Sequence, residues 1–418
     1  MSKTNSSSMF IIGMLFFIFG FVTWLNGSLI PFLKELLSLD NFEALFVTFA
    51  FYIAYTVMAL PVSFLLERSG YKNGMAIGLI IMAIGSLLFI PAALYTSFLL
   101  FLVALFMLGT GLTMLQTASN PYIVLIGPIE SAATRISIMG LINKIAGVIV
   151  PLVFSSIILS DLNSMSSAET LANKLVIPYF IMSIVLILLV VLIKFSSLPE
   201  LKFEKIKKDE KSVFSFPRVI LGSIALFFYV GIEVIAGDTI GLYAQTIGVR
   251  DVTSLTSYTM GFMVVGYIVG ILVIPKYISQ KNALIGSSLL GSLFIIGIVF
   301  STDDSYFISN YIWGWSFIPP LPDTITFVAL LGLSNALVWP TIWPLALEGL
   351  GKNTPKASAI LIMAISGGAL LPLLFGKISQ YNLGMQNSYL IGLVCYFFIF
   401  MFGFKWHKME SWKIFKNG

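Results

Sequence analysis

Residues 111–154 read GLTMLQTASNPYIVLIGPIESAATRISIMGLINKIAGVIVPLVF, and residues 332–375 read GLSNALVWPTIWPLALEGLGKNTPKASAILIMAISGGALLPLLF. Set side by side at a constant offset of 221, Gly111, Leu112, Ser137, Gly147, Pro151, Leu152 and Phe154 meet identical residues, and Arg135 meets Lys356. Each stretch holds two apolar segments around a short polar connection. The first copy also carries Gln116, Asn120, Asn143 and Lys144 where lipid-like sequence is expected. The glycine, the basic residue and the Gly…Pro-Leu-x-Phe ending keep their order. We read a duplicated membrane unit whose copies have diverged in their polar residues.

Composition agrees. Of 418 residues, 58% are hydrophobic and 10% charged, whereas soluble domains carry about a quarter charged residues. Most of this surface must face lipid. A single cysteine, Cys395, excludes a disulfide framework, a cysteine-rich zinc site and an iron–sulfur cluster. A single histidine, His407, leaves little for histidine-based catalysis. No P-loop G-x-x-x-x-G-K-[ST], G-x-S-x-G or metal-ligand cluster is present, so no enzyme is expected and no cofactor is needed beyond a coupling ion. The net charge of +5 sits beside apolar segments. It therefore reads as topology and lipid headgroup contact rather than nucleic-acid binding.

Apolar windows of about twenty residues place twelve spans. They cover roughly 10–32, 43–66, 74–95, 98–126, 136–160, 174–197, 218–246, 254–275, 282–301, 323–348, 356–378 and 386–405. The apolar run after MSKTNSSSMF continues through Ile30, which favours an uncleaved first helix. The expected organisation is all-α: six spans in 1–197, a charged linker in 198–217, and six spans with a basic tail in 218–418. Arg68, Lys72, Arg135, the linker lysines, Lys276, Lys281, Lys352, Lys356 and the tail lysines fall on one side. Lys34, Lys174, Arg250 and Lys377 are the main cations opposite. The positive-inside rule then puts both termini in the cytoplasm of an inner-membrane, multi-pass protein. The first spans of the halves also align, at an offset of 211: FFIFGFVTWLNGSLI from Phe16 lies over FFYVGIEVIAGDTIG from Phe227, so Gly27 falls on Asp238. Two homologous six-span halves fit a secondary transporter.

Charges in mid-membrane need a partner, a cavity or a task. Lys144 lies nine residues past Arg135, so about 13–14 Å along a helix. Glu233 and Asp238 lie deep in the seventh span. We expect Lys144 to face Glu233 or Asp238 across a cavity, one charge from each half. Such a pair would break when sodium or a proton binds the acid. The alternative is a permanent pair that only holds helices together.

Three stretches carry a family resemblance. Glu67-Arg68-Ser69-Gly70-Tyr71-Lys72, with Ser63 before it, resembles the major-facilitator loop motif G-x-L-x-D-R-x-G-R-K. FVTWLNGSLIPFLK, LQTASNPYIVLIGP and WPTIWPLALEGLG resemble the fucose:proton symporter family, which includes glucose/galactose and N-acetylglucosamine permeases. The resemblance implies the major-facilitator fold, alternating access and cation-coupled sugar uptake. In that family the fucose symporter has an Asp at the position of Gly27 and a Glu at that of Gln116. Neither acid exists here, and the Trp24-Leu25-Asn26-Gly27 form looks more like the N-acetylglucosamine branch.

Sugar hydroxyls need planar donors and acceptors, and the ring face needs an aromatic platform. Asn26, Gln116, Asn120, Asn143 and Asn335 offer the first, and Trp24 and Trp339 the second. Glu67, Arg68 and Lys72, with Glu130 and Arg135, are candidates for a cytoplasmic gate. Pro121, Pro340, Pro344 and Gly367-Gly368 interrupt helices beside these residues. The expectation is a monomeric importer of glucose, galactose, fucose or N-acetylglucosamine by sodium or proton symport, with any sodium near Glu233 or Asp238. A passive facilitator, a non-transporting sugar receptor or a drug exporter of the same fold are the alternatives.

Overall fold

The computed structural model describes residues 6–126, 132–159, 168–196, 198–199, 212–274, 276–316, 318–350 and 353–412. They form helices and connecting turns, with no strand among the described residues. The long helices are α1 (Ser6–Leu36), α2 (46–69), α3 (71–94), α4 (Phe98–Leu125), α5 (Ala132–Leu159) and α6 (Ala168–Phe195). The second six are α7 (Pro217–Asp238), α8 (Thr256–Val273), α9 (Gln280–Phe300), α10 (Asp323–Asn335 with Val338–Leu347), α11 (Thr354–Met363 with Gly367–Ile378) and α12 (Ile391–Phe404).

Helices α2 and α3 are continuous in backbone hydrogen bonding, and 49 residues would reach about 74 Å, far more than a bilayer core of about 30 Å. Gly70 divides them. It has φ 76° and ψ 171°, a conformation that costs a residue bearing a Cβ and that glycine adopts freely. The chain thus crosses twice, and the eleven apolar helices among the described residues become twelve crossings. The six-residue motif around Gly70 is therefore a turn, as the loop resemblance implies.

The end of the bundle where α1 begins is called proximal here, and the end where it stops at Leu36 distal. Helix α6 presents Ile177, Phe180, Ile181, Ile184 and Leu188 outward. Leu289 and Leu293 of α9 and Val394 and Phe397 of α12 are exposed in the same way. Such faces are stable only against hydrocarbon. The distal part of α7 is the opposite case, with residues 229–238 all buried. Glycines let the central helices approach closely. A Cβ on Gly20 would lie 2.0 Å from the Asn143 carbonyl, and one on Gly367 1.8 Å from that of Phe227. Gly367-Gly368 thus serves close packing of α11 on α7, after a 3₁₀ turn at Ala364–Ser366. Helix α7 has a break that the sequence does not announce: it stops at Asp238 and resumes as Ile240–Thr246.

Candidate functional site

Helices α1, α2, α4 and α5 from the first six, and α7, α8, α10 and α11 from the second, surround a central cavity of about 100 Å³. Its wall is mixed. Gln116, Asn120 and Asn143 bring amides, Lys144 and Glu233 bring charge, and Phe16, Trp24, Tyr52, Tyr55, Tyr229, Tyr267 and Trp339 bring rings.

The centre of the wall is an ion pair. Lys144 Nζ on α5 lies 2.8 Å from Glu233 Oε1 on α7, with both side chains more than nine-tenths buried. The Tyr229 hydroxyl donates to the same Glu233 oxygen at 2.7 Å. The Lys144 ammonium also sits 4.3 Å from the centre of the Trp24 ring, a favourable cation–π placement. Of the two partners offered by the sequence, the structure pairs Lys144 with Glu233. Asp238 lies farther toward the distal end, wholly buried, where its Oδ2 accepts from Thr48 Oγ1 at 3.0 Å.

Trp24 is locked in place. A Cβ at Gly147 on α5 would lie 2.7 Å from its ring, and one at Gly237 on α7 2.6 Å, so two glycines form a slot for it. Its Nε1 donates to Asn143 Oδ1 at 3.3 Å. The Asn143 amide donates in turn to the Phe16 carbonyl at 3.4 Å. Gln116 Nε2 donates to the Tyr55 hydroxyl at 3.0 Å. Trp339 packs against Trp343 and Tyr229, with ring centres 5.4 and 6.3 Å apart.

Two residues expected at the sugar lie elsewhere. Asn26 and Asn335 are absent from the cavity wall. Asn335 is fully buried, and its Oδ1 accepts from the Tyr396 hydroxyl at 2.9 Å. Asn26 is buried, and its Nδ2 has no hydrogen-bond partner among the described residues. Conversely, Tyr52, Tyr55, Tyr229 and Tyr267 line the cavity without having been singled out. Spacing offered a signal for three of them: Tyr52 and Tyr55 share a face of α2, and Tyr229 sits one turn before Glu233.

The two sets of helices meet on the distal side of the ion pair. Ser28 Oγ donates to the Thr253 carbonyl at 2.5 Å, Ser155 Oγ to Asp251 Oδ1 at 2.6 Å, and Ser257 Oγ to the Val148 carbonyl at 2.7 Å. Gly27 lies in this seam. A Cβ there would stand 2.1 Å from Thr256 Oγ1 and 2.8 Å from the Gly237 carbonyl. An acid at this position would have no room while the seam is closed.

The proximal candidates are more dispersed. Glu67 and Arg68 are exposed. Lys72 Nζ donates to the Ser196 carbonyl at 2.8 Å, tying the α2–α3 turn to the end of α6. Arg135 is buried, with its Nε donating to the Ile123 carbonyl at 2.9 Å. Glu130 lies outside the described residues.

Twelve crossings around a central polar cavity define a membrane carrier of the alternating-access type. The sequence profile of the Major Facilitator Superfamily matches residues 12–372, and the chain belongs to that superfamily. It is 32% identical over 398 residues to a glucose/galactose transporter of Brucella abortus biovar 1, covering 93% of this chain and 92% of the relative. It is 27% identical to the L-fucose-proton symporter of Escherichia coli K12, covering 93% and 90%. Among solved structures, the E. coli fucose:proton symporter superposes with a TM-score of 0.73 at 23% identity, covering 96% of this chain and 98% of that one. A D-xylose-proton symporter superposes with a TM-score of 0.73 at 13% identity, covering 98% and 100%. These structures establish a shared fold.

Proposed function

We propose that this protein is a sugar:cation symporter of the inner membrane, with both termini cytoplasmic and residues 1–197 and 218–418 acting as two rocking halves. Its substrate is a monosaccharide of the glucose, galactose, fucose or N-acetylglucosamine kind. The observation that carries the reading is the Lys144–Glu233 pair in the cavity wall, one partner from each half. A charge pair across the line of rocking can change only if the halves move or an ion intervenes, so it links the two events. The names of the relatives, glucose/galactose transporter and L-fucose-proton symporter, agree with this class of substrate.

Gln116, Asn120 and Asn143 present donors and acceptors suited to hydroxyls, and Trp339 presents an apolar face suited to a pyranose ring. With cytoplasmic termini, the seam at Ser28, Thr48 and Ser155 is the periplasmic gate, and it is shut.

Uptake of labelled glucose, galactose, fucose and N-acetylglucosamine into proteoliposomes tests the proposal, with sodium and proton gradients imposed separately. One of the sugars should accumulate beyond equilibrium under one of the gradients. Uptake that stops at equilibrium under all of them would make the protein a passive facilitator. No uptake of any of them would leave the sugar reading without support.

A further inference from the structure

Asp238 has no place in the sugar cavity, yet it is the most deeply buried acid of α7. It is 0% exposed, and its one hydrogen bond comes from Thr48 Oγ1 on α2. Its second oxygen, Oδ1, is buried without a hydrogen-bond partner among the described residues. Among the described residues no lysine or arginine comes within ion-pair distance of it. The titratable groups around it are Glu233 on its own helix and Tyr52 on α2, neither of which supplies positive charge. Tyr389, from the turn before α12, bonds the hydroxyl of the neighbouring Thr239 at 2.9 Å. The remaining groups are Gly27 of α1, Thr256 of α8, whose hydroxyl donates to the Gly237 carbonyl, and Gly368 of α11, which meets Val234 and Tyr52.

Glu233 makes the contrast. It shares the helix and the low dielectric, but a lysine and a tyrosine hydroxyl both point at one of its oxygens. Those partners offset the desolvation of a buried carboxylate's charge. In a dry site with one neutral hydrogen bond that desolvation is left uncompensated. A metal cation would need several oxygen ligands, and Thr48 supplies the one hydroxyl bonded here. The position is also telling. Asp238 belongs to the second six helices and Thr48 to the first, so the bond between them crosses the seam, at the last turn before α7 breaks.

We propose that Asp238 is the proton-carrying group of the transport cycle, and that it must be protonated for the distal gate to shut. The proposal rests on the symport reading above and assigns its coupling ion. With the gate open, Asp238 meets distal water, Thr48 is withdrawn, and the carboxylate is ionised. A proton from that water converts it to the neutral acid, which fits the dry seam, and the halves close. Once the cavity faces the proximal side, the proton leaves past Tyr52, which lines the cavity and lies one turn from Thr48 on α2. Glu233 holds Lys144 throughout.

The test uses the full chain in proteoliposomes, carrying Ser155→Cys as a reporter in the seam and Cys395→Ser to remove the native thiol. A membrane-impermeant maleimide is applied from the distal side. With Asp238 present, labelling should rise severalfold from mildly acidic to alkaline buffer, beyond the change seen for a free thiol. With Asp238→Asn it should stay low at both. The same variant should still exchange labelled sugar for unlabelled sugar and lose accumulation driven by a proton gradient. Labelling that follows the free thiol with Asp238 in place would overturn the proposal. So would proton-driven accumulation by Asp238→Asn, or accumulation by the wild type under sodium alone. If the wild type only equilibrates sugar but its labelling still depends on Asp238 and pH, the symport reading fails and the protonation-dependent gate stands.

Discussion

The Lys144–Glu233 pair can be tested on stability and transport separately. Removing one partner leaves the other as an uncompensated buried charge, which costs about 3–5 kcal/mol. For Lys144→Met the cation–π contact with Trp24, of order 0.5–2 kcal/mol, is lost as well. Replacing both by methionine removes both charges, and such replacements in other proteins are neutral or stabilising by about 1–4 kcal/mol. In purified protein, thermal unfolding followed by size-exclusion recovery should therefore fall by several degrees for Lys144→Met and for Glu233→Gln. Lys144→Met/Glu233→Met should return near the starting point. Transport should follow a different order: all three variants fail to concentrate sugar, although the double variant is as stable as the parent. Single variants within about 0.5 kcal/mol of wild type would refute the account of a tightly coupled buried pair. A double variant that still accumulates sugar would show that the pair only packs helices.

Other expectations follow from the same geometry. Gly27→Asp places a Cβ 2.1 Å from Thr256 Oγ1, so the distal seam should stay open; transport should be lost, and a seam cysteine should label at any pH. Gln116→Ala removes one amide from the cavity wall and one hydrogen bond from Tyr55, and should raise the half-saturating sugar concentration by about tenfold, the equivalent of about 1.4 kcal/mol. Trp339→Ala should weaken sugar binding by a similar factor in a binding assay on purified protein, whereas Trp339→Phe should recover most of it. Gly70→Ala forces a Cβ onto a positive-φ, extended backbone that glycine alone adopts freely, and should cost about 1–3 kcal/mol in thermal stability without changing sugar affinity.

The twelve crossings were legible because lipid demands long apolar runs, and their ends agree with the helices to within a few residues, as for 323–348 against Asp323–Leu347. The same demand hides which side of a helix faces inward. In a soluble helix the polar face marks the solvent, but here the lipid-facing and core-facing sides are both apolar, and the amphipathic signal vanishes. The residue types suited to sugar were therefore readable, and their directions were not. Gln116, Asn120, Asn143, Trp24 and Trp339 reach the cavity, whereas Asn26 and Asn335 turn away. The tyrosines escaped notice because in an apolar segment a tyrosine resembles any other large packing residue until its hydroxyl is placed. The break in α7 escaped because it carries no proline; Thr239 closes it by bonding its own hydroxyl to the Ile235 carbonyl at 2.6 Å. Charge was the most legible feature. The cost of carrying Lys144, Glu233 and Asp238 through a membrane made each conspicuous, and each has a specific setting in the fold.

Beside apolar contacts such as Leu45 against Gly376, the distal seam holds serine and threonine hydroxyls and glycines whose backbones touch, and that polar part has a thermodynamic consequence. An interlocking row of leucines would expose apolar surface each time it parted, at about 25 cal/mol for every Å². Hydroxyls and peptide groups exchange one hydrogen bond for another when water arrives, so the net change per bond is only about 0.5–1.5 kcal/mol. Glycine also leaves no side chain to find a new rotamer. The shut and parted forms are thus kept close in free energy, and small differences in what is bound can decide between them. A carrier needs such near-degeneracy: a gate that sealed too well would store the energy of the gradient as an irreversible step rather than pass it on to the cargo.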